Sequence, residues 1–367
     1  MDIFDLSDDL GPAKVVHVHS ARAGLRGIVV VDDVACGPAI GGVRMAADAG
    51  LEECARLARA MTFKNAAAGL PHGGGKAVIV ADPAMAATAK EALVRAFAAA
   101  IRDVRDYIPG PDMGTDERAM AWILDEIGRA VGLPAELGGI PLDEIGATGF
   151  GLAIAAEVVE ARGAIALAGA RVAVQGFGSV GRHAARFLAE RGARLVAASD
   201  SRGTLIDERG IDVAALIAHK AAGGAVADFA GGTKGDRDAI VGVDCDLWIP
   251  AARPDVLRAD NVDDLRARLV IEGANIPATG EAEARLHARG VLVIPDFIAN
   301  AGGVICAAVE YHGGTQGQAF AAIEERIRGN VAAVLDAAEA AGGTPREAAI
   351  ALAEDRVRRA MALRRFA

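Results

Sequence analysis

The sequence predicts an α/β protein of two domains, an N-terminal α/β domain followed by a doubly wound parallel-sheet domain, and three observations carry that reading. At 367 residues the chain exceeds one ordinary hydrophobic core and suffices for two of common size. From Arg171 to Asp200 a strand, a glycine turn, a helix and a second strand follow one another. Segment 128–148, rich in Gly and Pro and without sustained periodicity, separates that unit from an earlier run of strands and helices. Residues 1–140 are therefore assigned to a first domain and 141–338 to a second, with 339–367 as a closing helix that packs back on the first.

Residues 14–45 read as strands, because Lys-Val-Val-His-Val-His alternates and Gly27-Ile-Val-Val-Val-Asp is a short apolar run between turn residues. From Gly50 to about Ala68, Leu51, Cys54, Ala58 and Met61 recur at helical spacing, and Gly69 with Pro71 ends the helix just after Lys64. Gly73-Gly-Gly permits close backbone approach, and Lys76-Ala-Val-Ile-Val opens a strand. A helix over about 84–105 leads to Tyr107-Ile-Pro-Gly-Pro-Asp-Met-Gly-Thr115, expected as a rigid loop that fixes Asp112. After a helix over 149–162 and the 171–200 unit, strands at Cys245-Asp-Leu-Trp-Ile-Pro, Leu269-Val-Ile and Val291-Leu-Val-Ile end in polar or glycine-rich loops. Alanine-rich helices over 316–341 and 345–365 close the chain, the second announced by Thr344-Pro-Arg-Glu347.

In Gln175-Gly-Phe-Gly-Ser-Val-Gly181 the glycines follow a strand and open a helix, and Asp200 ends the next strand about 20 residues on. That context marks Gly176, Phe177, Gly178, Ser179, Val180 and Gly181 as a dinucleotide-binding turn. Backbone amides at a helix N-terminus cradle a pyrophosphate, and Asp200 accepts from an adenosine ribose. The second domain is thus read as a Rossmann dinucleotide-binding domain.

The net charge of −10 lacks the clustered positive surface that nucleic acid or an anionic membrane requires. Cys36, Cys54, Cys245 and Cys306 are widely spaced, with no ligand pattern, so a reduced cytoplasmic protein without a metal site is expected. No apolar run approaches the roughly 20 residues of a membrane span, and the acidic N-terminus is unlike a signal peptide.

Lysine is scarce in this chain, yet Lys64 and Lys76 share one apolar, glycine-rich stretch, Met61 to Val80. A lysine drawn into an apolar site beside a second cation loses proton affinity and can serve as a base near neutral pH. A hydride carrier in one domain calls for substrate and proton-transfer groups in the other, and two lysines with Asp112 suit an amino acid.

Here the residues resemble a family. Gly37-Pro-Ala-Ile-Gly-Gly-Val-Arg-Met45, Met61-Thr-Phe-Lys-Asn, Gly73-Gly-Gly-Lys76, Pro111-Asp-Met-Gly-Thr115, Ala147-Thr-Gly-Phe-Gly151, Glu272-Gly-Ala-Asn275 and Asn300-Ala-Gly-Gly-Val304 are similar, in order, to the dehydrogenases of glutamate, leucine, phenylalanine and valine. The resemblance implies reversible NAD(P)-dependent oxidative deamination to a 2-oxo acid and ammonia. It implies that Lys64 binds the α-carboxylate, Lys76 activates water and Asp112 shuttles a proton to the amino group. It also implies that Thr148 and Asn275 meet the nicotinamide end, with Ala251 and Ala252 in another loop there, that Asn300 belongs to the cofactor site, that the domains close about the 128–148 hinge, and that the protein self-associates as a homo-oligomer.

Substrate choice is expected to turn on two positions. The glutamate enzymes carry a lysine where this chain has Ile40 and a serine where it has Ala307, groups that hold the side-chain carboxylate. A buried carboxylate without a partner costs several kcal/mol. Ile40, Met61, Val304 and Ala307, with Gly41, Gly42 and Gly110 leaving space, are therefore expected to bind an apolar side chain: that of leucine, valine, isoleucine or phenylalanine. The loops at 111–115, 147–151 and 272–277 look more like the glutamate branch, so glutamate is the alternative. A noncatalytic dinucleotide-binding sensor is the alternative of another class. Asp200 favours NAD, but Ser201 and Arg202 follow it and leave NADP open.

Overall fold

A computed structural model describes residues 3–364. Their contacts divide the chain into two compact units: one of residues up to Leu142 with Val304–Ala322 and everything from Ile350, the other of Asp143–Gly303 with Ile323–Ala349. This differs from the expected ranges chiefly at 304–322, which joins the first unit, and at 339–349, which joins the second. The reason at 304–322 is packing, because Ala307 is buried with Ile40, Ile108 and Val131 of the first unit.

In the first unit β1 (Lys14–Ser20) and β2 (Leu25–Val31) form a hairpin. They are followed by β3 (Ala39–Met45), α1 (Leu51–Ala67), β4 (Gly73–Ile79), α2 (Ala87–Ala100), β5 (Tyr107–Pro111) and α3 (Glu117–Ile127). The sheet order is β1-β2-β4-β3-β5, with β3 parallel to both of its neighbours. One apolar layer joins the sheet to α2 and α3 through Phe97, Tyr107, Met120 and Ile123. Cys54 and Ala58 of α1 pack against Ile28, Val30 and Val78 of the sheet.

Two expectations are corrected here. Tyr107–Pro111 is a strand, not a loop, and its prolines are tolerated because β5 lies at the sheet edge. Gly73–Gly75 belong to β4, so Lys76 sits within that strand instead of opening it. Each glycine meets a different neighbour: an added β-carbon would stand 1.8 Å from the Asp33 carbonyl oxygen at Gly73, 2.0 Å from the Thr62 amide nitrogen of α1 at Gly74, and 2.9 Å from the Tyr107 ring at Gly75.

The second unit begins at α4 (Leu142–Ile145) and α5 (Ala147–Ala161). Then come β6 (Arg171–Gln175), α6 (Ser179–Ala189), β7 (Arg194–Asp200), β8 (Gly203–Ile206), α7 (Val213–Ala221), β9 (Thr233–Gly235), β10 (Leu247–Pro250), β11 (Leu269–Ile271), α8 (Gly280–Ala288), β12 (Leu292–Ile294) and α9 (Asp296–Ala299). Strand order is β12-β11-β10-β6-β7-β8-β9, parallel from β12 to β7 and antiparallel beyond. This is a doubly wound α/β sheet, with ligand positions expected beyond the carboxyl ends of β6 and β7.

Helices α10 (Gly302–Tyr311), α11 (Gln316–Ala341) and α12 (Pro345–Ala362) complete the chain. Arg346, at the start of α12, meets Glu272, Glu283 and Asp296 at 2.6–3.0 Å. Burial raises the carboxyl of Glu272 well above its usual range even beside that guanidinium. The segment 128–148, expected to lack regular structure, contains a 3-10 turn at Ala135–Leu137 as well as α4. Among the described residues no helix is long and apolar enough to cross a membrane.

Candidate active site

The first unit brings Lys76 and Asp112 into contact. The Lys76 ammonium lies 2.9 Å from Asp112 Oδ2, and both side chains are largely buried. The strand register explains the meeting: β3 lies between β4 and β5, and Gly42 is aligned with Gly110 two residues before Asp112. A β-carbon on Gly42 would stand 2.7 Å from the Asp112 β-carbon and 3.2 Å from the Lys76 ammonium, so only glycine leaves this approach open. Burial alone would raise the Asp112 carboxyl, but Lys76 and then Arg44 outweigh it and hold it below the usual carboxylate range.

Lys64 sits on the last turn of α1, half-buried. The next residue ties that turn to the sheet, since Asn65 Nδ2 donates to the Gly73 carbonyl at 2.7 Å and to the Ile40 carbonyl at 3.3 Å. Ile40 and Ala307 are buried in one apolar cluster with Ile108 and Val131. Gly110 makes room there, because an added β-carbon would meet Val131 at 3.2 Å. Gly41 is required by backbone approach: a β-carbon would fall 1.6 Å from the Gly75 carbonyl oxygen. Met61 and Val304 are half-buried on α1 and α10.

In the second unit the glycine turn joins β6 to α6. Gly176 has φ +93°, in the region that L side chains rarely adopt, and an added β-carbon would strike Ala252. On Gly181 it would lie 2.1 Å from the Gly176 carbonyl oxygen, whereas on Gly178 it would meet nothing within 4 Å. The turn is therefore closed beneath and open at Gly178. Helix α6 has no side-chain cap, so its first amides can serve an anion. Among the described residues, the buried atoms Gln175 Oε1, Ser199 Oγ and Asn300 Oδ1 have no hydrogen-bond partner. These features fit a dinucleotide. Phe177 and Gly181 are buried, while Ser179 and Val180 are half-buried and Ser201 is exposed. Asn300 Nδ2 donates to Asn275 Oδ1 at 3.1 Å and so braces the 273–276 loop. Thr148 lies on the first turn of α5 beside Gly302, and Ala251 follows the end of β10.

Asp200 is already held by bonds within the second unit. Its Oδ2 accepts from Lys220 Nζ and the Val226 amide, and its Oδ1 from the Arg202 amide.

Four residues that sequence reasoning missed belong to these sites. Arg44 donates through Nε to Asp112 Oδ2 at 3.0 Å and through Nη1 to Glu53. The Tyr107 hydroxyl donates to the Gly41 carbonyl at 2.8 Å, beside a strand whose two prolines carry no N–H. Glu310 accepts from the Leu133 and Ile140 amides and holds the 133–140 segment against α10. Lys220 neutralises Asp200. An arginine within an apolar strand was the one available sequence signal, at Arg44.

Comparison with known proteins adds family evidence. Residues 138–365 match the family model "Glutamate/Leucine/Phenylalanine/Valine dehydrogenase", and residues 12–129 match "Glu/Leu/Phe/Val dehydrogenase, dimerisation domain". A glutamate dehydrogenase of Aeropyrum pernix is 38% identical over 353 residues, covering 90% of this chain and 84% of the relative. An NADP(+)-dependent glutamate dehydrogenase of Pyrobaculum calidifontis is 40% identical over 295 residues, 76% of this chain and 70% of the relative. Among solved structures, the hetero-hexameric glutamate dehydrogenase of Thermus thermophilus in a leucine-bound form superposes with TM-score 0.86 at 33% identity, covering 96% of this chain and 90% of that one. L-tryptophan dehydrogenase of Nostoc punctiforme gives TM-score 0.75 at 28% identity, with 96% and 98% coverage.

Proposed function

Because the chain belongs to the glutamate/leucine/phenylalanine/valine dehydrogenase family and is an NAD(P)-dependent amino acid dehydrogenase, we propose that it oxidatively deaminates an L-amino acid with an apolar side chain, reversibly. The amino acid, oxidised dinucleotide and water give the 2-oxo acid, ammonium, reduced dinucleotide and a proton. The observation that carries the choice of side chain is the cluster of Ile40, Ile108, Val131 and Ala307, which offers no cation or hydroxyl. The ionisable side chain one helical turn beyond Ala307 is Glu310, an acid whose oxygens already serve two backbone amides. A substrate carboxylate there would be desolvated without a partner.

When bound, the dinucleotide takes the hydride from the α-carbon. Lys64 pairs with the α-carboxylate. Lys76, as the amine, takes a proton from the water that attacks the imine carbon. Asp112 exchanges a proton with the substrate nitrogen, which its contact with Lys76 positions it to do. The 176–181 turn and the α6 amides would hold the pyrophosphate, and Asn275, braced by Asn300, would serve the nicotinamide end. NAD is the proposed carrier; Lys220, paired with Asp200, and the nearby Arg202, whose guanidinium donates to the Gly223 carbonyl, favour NADP as the second reading, in keeping with the name of the Pyrobaculum relative. The match to a dimerisation domain supports a homo-oligomer, and four free cysteines accord with a reduced cytoplasmic setting.

Glutamate is the second substrate reading, and the names of the two curated relatives favour it over the apolar one. The pocket is weighed above the names because its residues touch the part of the substrate that differs. Ile40→Lys combined with Ala307→Ser tests this choice. The double variant should shift the ratio of 2-oxoglutarate to 4-methyl-2-oxopentanoate turnover toward 2-oxoglutarate by at least about a hundredfold, the discrimination that a paired polar group provides. An unchanged ratio in a folded double variant would remove the pocket argument.

A further inference from the structure

Asp112 Oδ2 receives two cations at once, Lys76 at 2.9 Å and Arg44 at 3.0 Å. They differ in one respect that matters for proton transfer. The ammonium must lose its proton for Lys76 to act as a base, while a guanidinium stays charged throughout the working pH range. At the moment Lys76 is an uncharged amine, it no longer balances the buried carboxylate. Without a second cation the buried carboxylate would take up a proton more readily, leaving neutral acid beside neutral amine and a poorer acceptor for the substrate nitrogen.

We infer that Arg44 is a positioning residue that holds the Asp112 carboxylate charged and in place while Lys76 passes through its uncharged form. The inference rests on the roles proposed above for Lys76 and Asp112. Arg44 is itself fixed from the other side, since Nη1 donates to Glu53 in the first turn of α1. Both cations meet Oδ2, and the Met113 amide also hydrogen-bonds this carboxyl. Among the described residues, its charged partners in ion pairs are both cations. Lys76 faces it from β4 and Arg44 from β3, and Glu53 of α1 reaches it only through Arg44. The Cys54 thiol of α1 donates to the Lys76 carbonyl, and the Tyr107 hydroxyl of β5 is engaged by Gly41. Gly42, whose missing side chain permits the approach, lies between Ile40 and Arg44 on the same strand.

The test is the titration of the Asp112 carboxyl itself, read from its side-chain carboxyl 13C resonance and assigned by the loss of that resonance in Asp112→Asn; the acid limb of kcat/KM does not isolate it, because Lys76 must also be unprotonated to act. With Arg44 intact the carboxyl is depressed, so it stays charged as pH falls toward the ordinary carboxylate range. Arg44→Met should move the midpoint up by about 1–3 pH units, the size of effect one adjacent cation exerts. Arg44→Lys, which restores charge without the fixed Nε–H bond, should lie between the two. Arg44→Gln replaces Arg44→Met if the latter does not fold, with the same rise expected. Binding of the reduced dinucleotide, read by its fluorescence, should be unchanged in each. A midpoint that stays in place in a folded uncharged variant overturns the inference. Lys76→Ala separates the two levels: loss of turnover with an unmoved Arg44→Met midpoint removes this inference alone, whereas retained turnover removes the reading of the site beneath it.

Discussion

At Gly42 the spacing between two chemical groups is set by the absence of a side chain. A β-carbon there would press on the Asp112 β-carbon and the Lys76 ammonium together, at 2.7 and 3.2 Å. Gly42→Ala should therefore part the pair and lower kcat by about a hundredfold, the cost of misplacing reacting groups by about an ångström. Dinucleotide affinity should remain close to that of the unaltered protein, because the glycine turn lies in the other unit. Steady-state kinetics and a fluorescence titration check both expectations, and an unaltered kcat would show that the contact has no part in turnover. Lys64, Lys76 and Asp112 were legible in the sequence as polar residues isolated among glycines and prolines. Arg44 was not, because the pairing that gives it a role spans 68 residues. Lys220 was hidden for the same reason, and with it the neutralised state of Asp200.

The glycine turn shows what an element makes plain and what it conceals. Gly176, Gly178 and Gly181 read correctly as the joint between β6 and α6, because local spacing alone determines such a turn. Their separate tasks emerge only in three dimensions: Gly176 avoids Ala252, Gly181 avoids the Gly176 carbonyl, and Gly178 is open. Gly181→Ala should weaken dinucleotide binding by at least about tenfold, a loss of some 1.4 kcal/mol, since the carbonyl it meets is backbone and cannot swing aside. Wild-type affinity in that variant would show that the turn does not shape the cradle. Gly178→Ala provides the contrast, because it disturbs no packing and can act only through what lies above the turn. β5 was misread for a physical reason. Two prolines in five residues argue against a strand in general, yet at a sheet edge the missing N–H groups cost nothing, and Tyr107 supplies a donor for Gly41 instead.

The whole molecule is two α/β units whose chain segments interleave. Residues 304–322 return to the first unit, 323–349 to the second, and the stretch from Ile350 to the first again. Helix periodicity located α11 and α12 closely but carried no information about which core each part would join. That choice depends on contacts such as Ala307 with Ile40 and Ala353 with Ala66, each spanning more than half the chain. The proposed substrate reading depends on the same contacts, because the apolar cluster it rests on draws on β3, β5 and α10 together. Family membership rests on nearly the full length, while substrate preference rests on a few apolar side chains in one cluster. The most direct measurement is oxidation of the reduced dinucleotide, in the presence of ammonia, with 4-methyl-2-oxopentanoate, 3-methyl-2-oxobutanoate, phenylpyruvate and 2-oxoglutarate as separate substrates. The apolar acids should turn over with little activity on 2-oxoglutarate; dominant turnover of 2-oxoglutarate would contradict the account and assign the chain to glutamate.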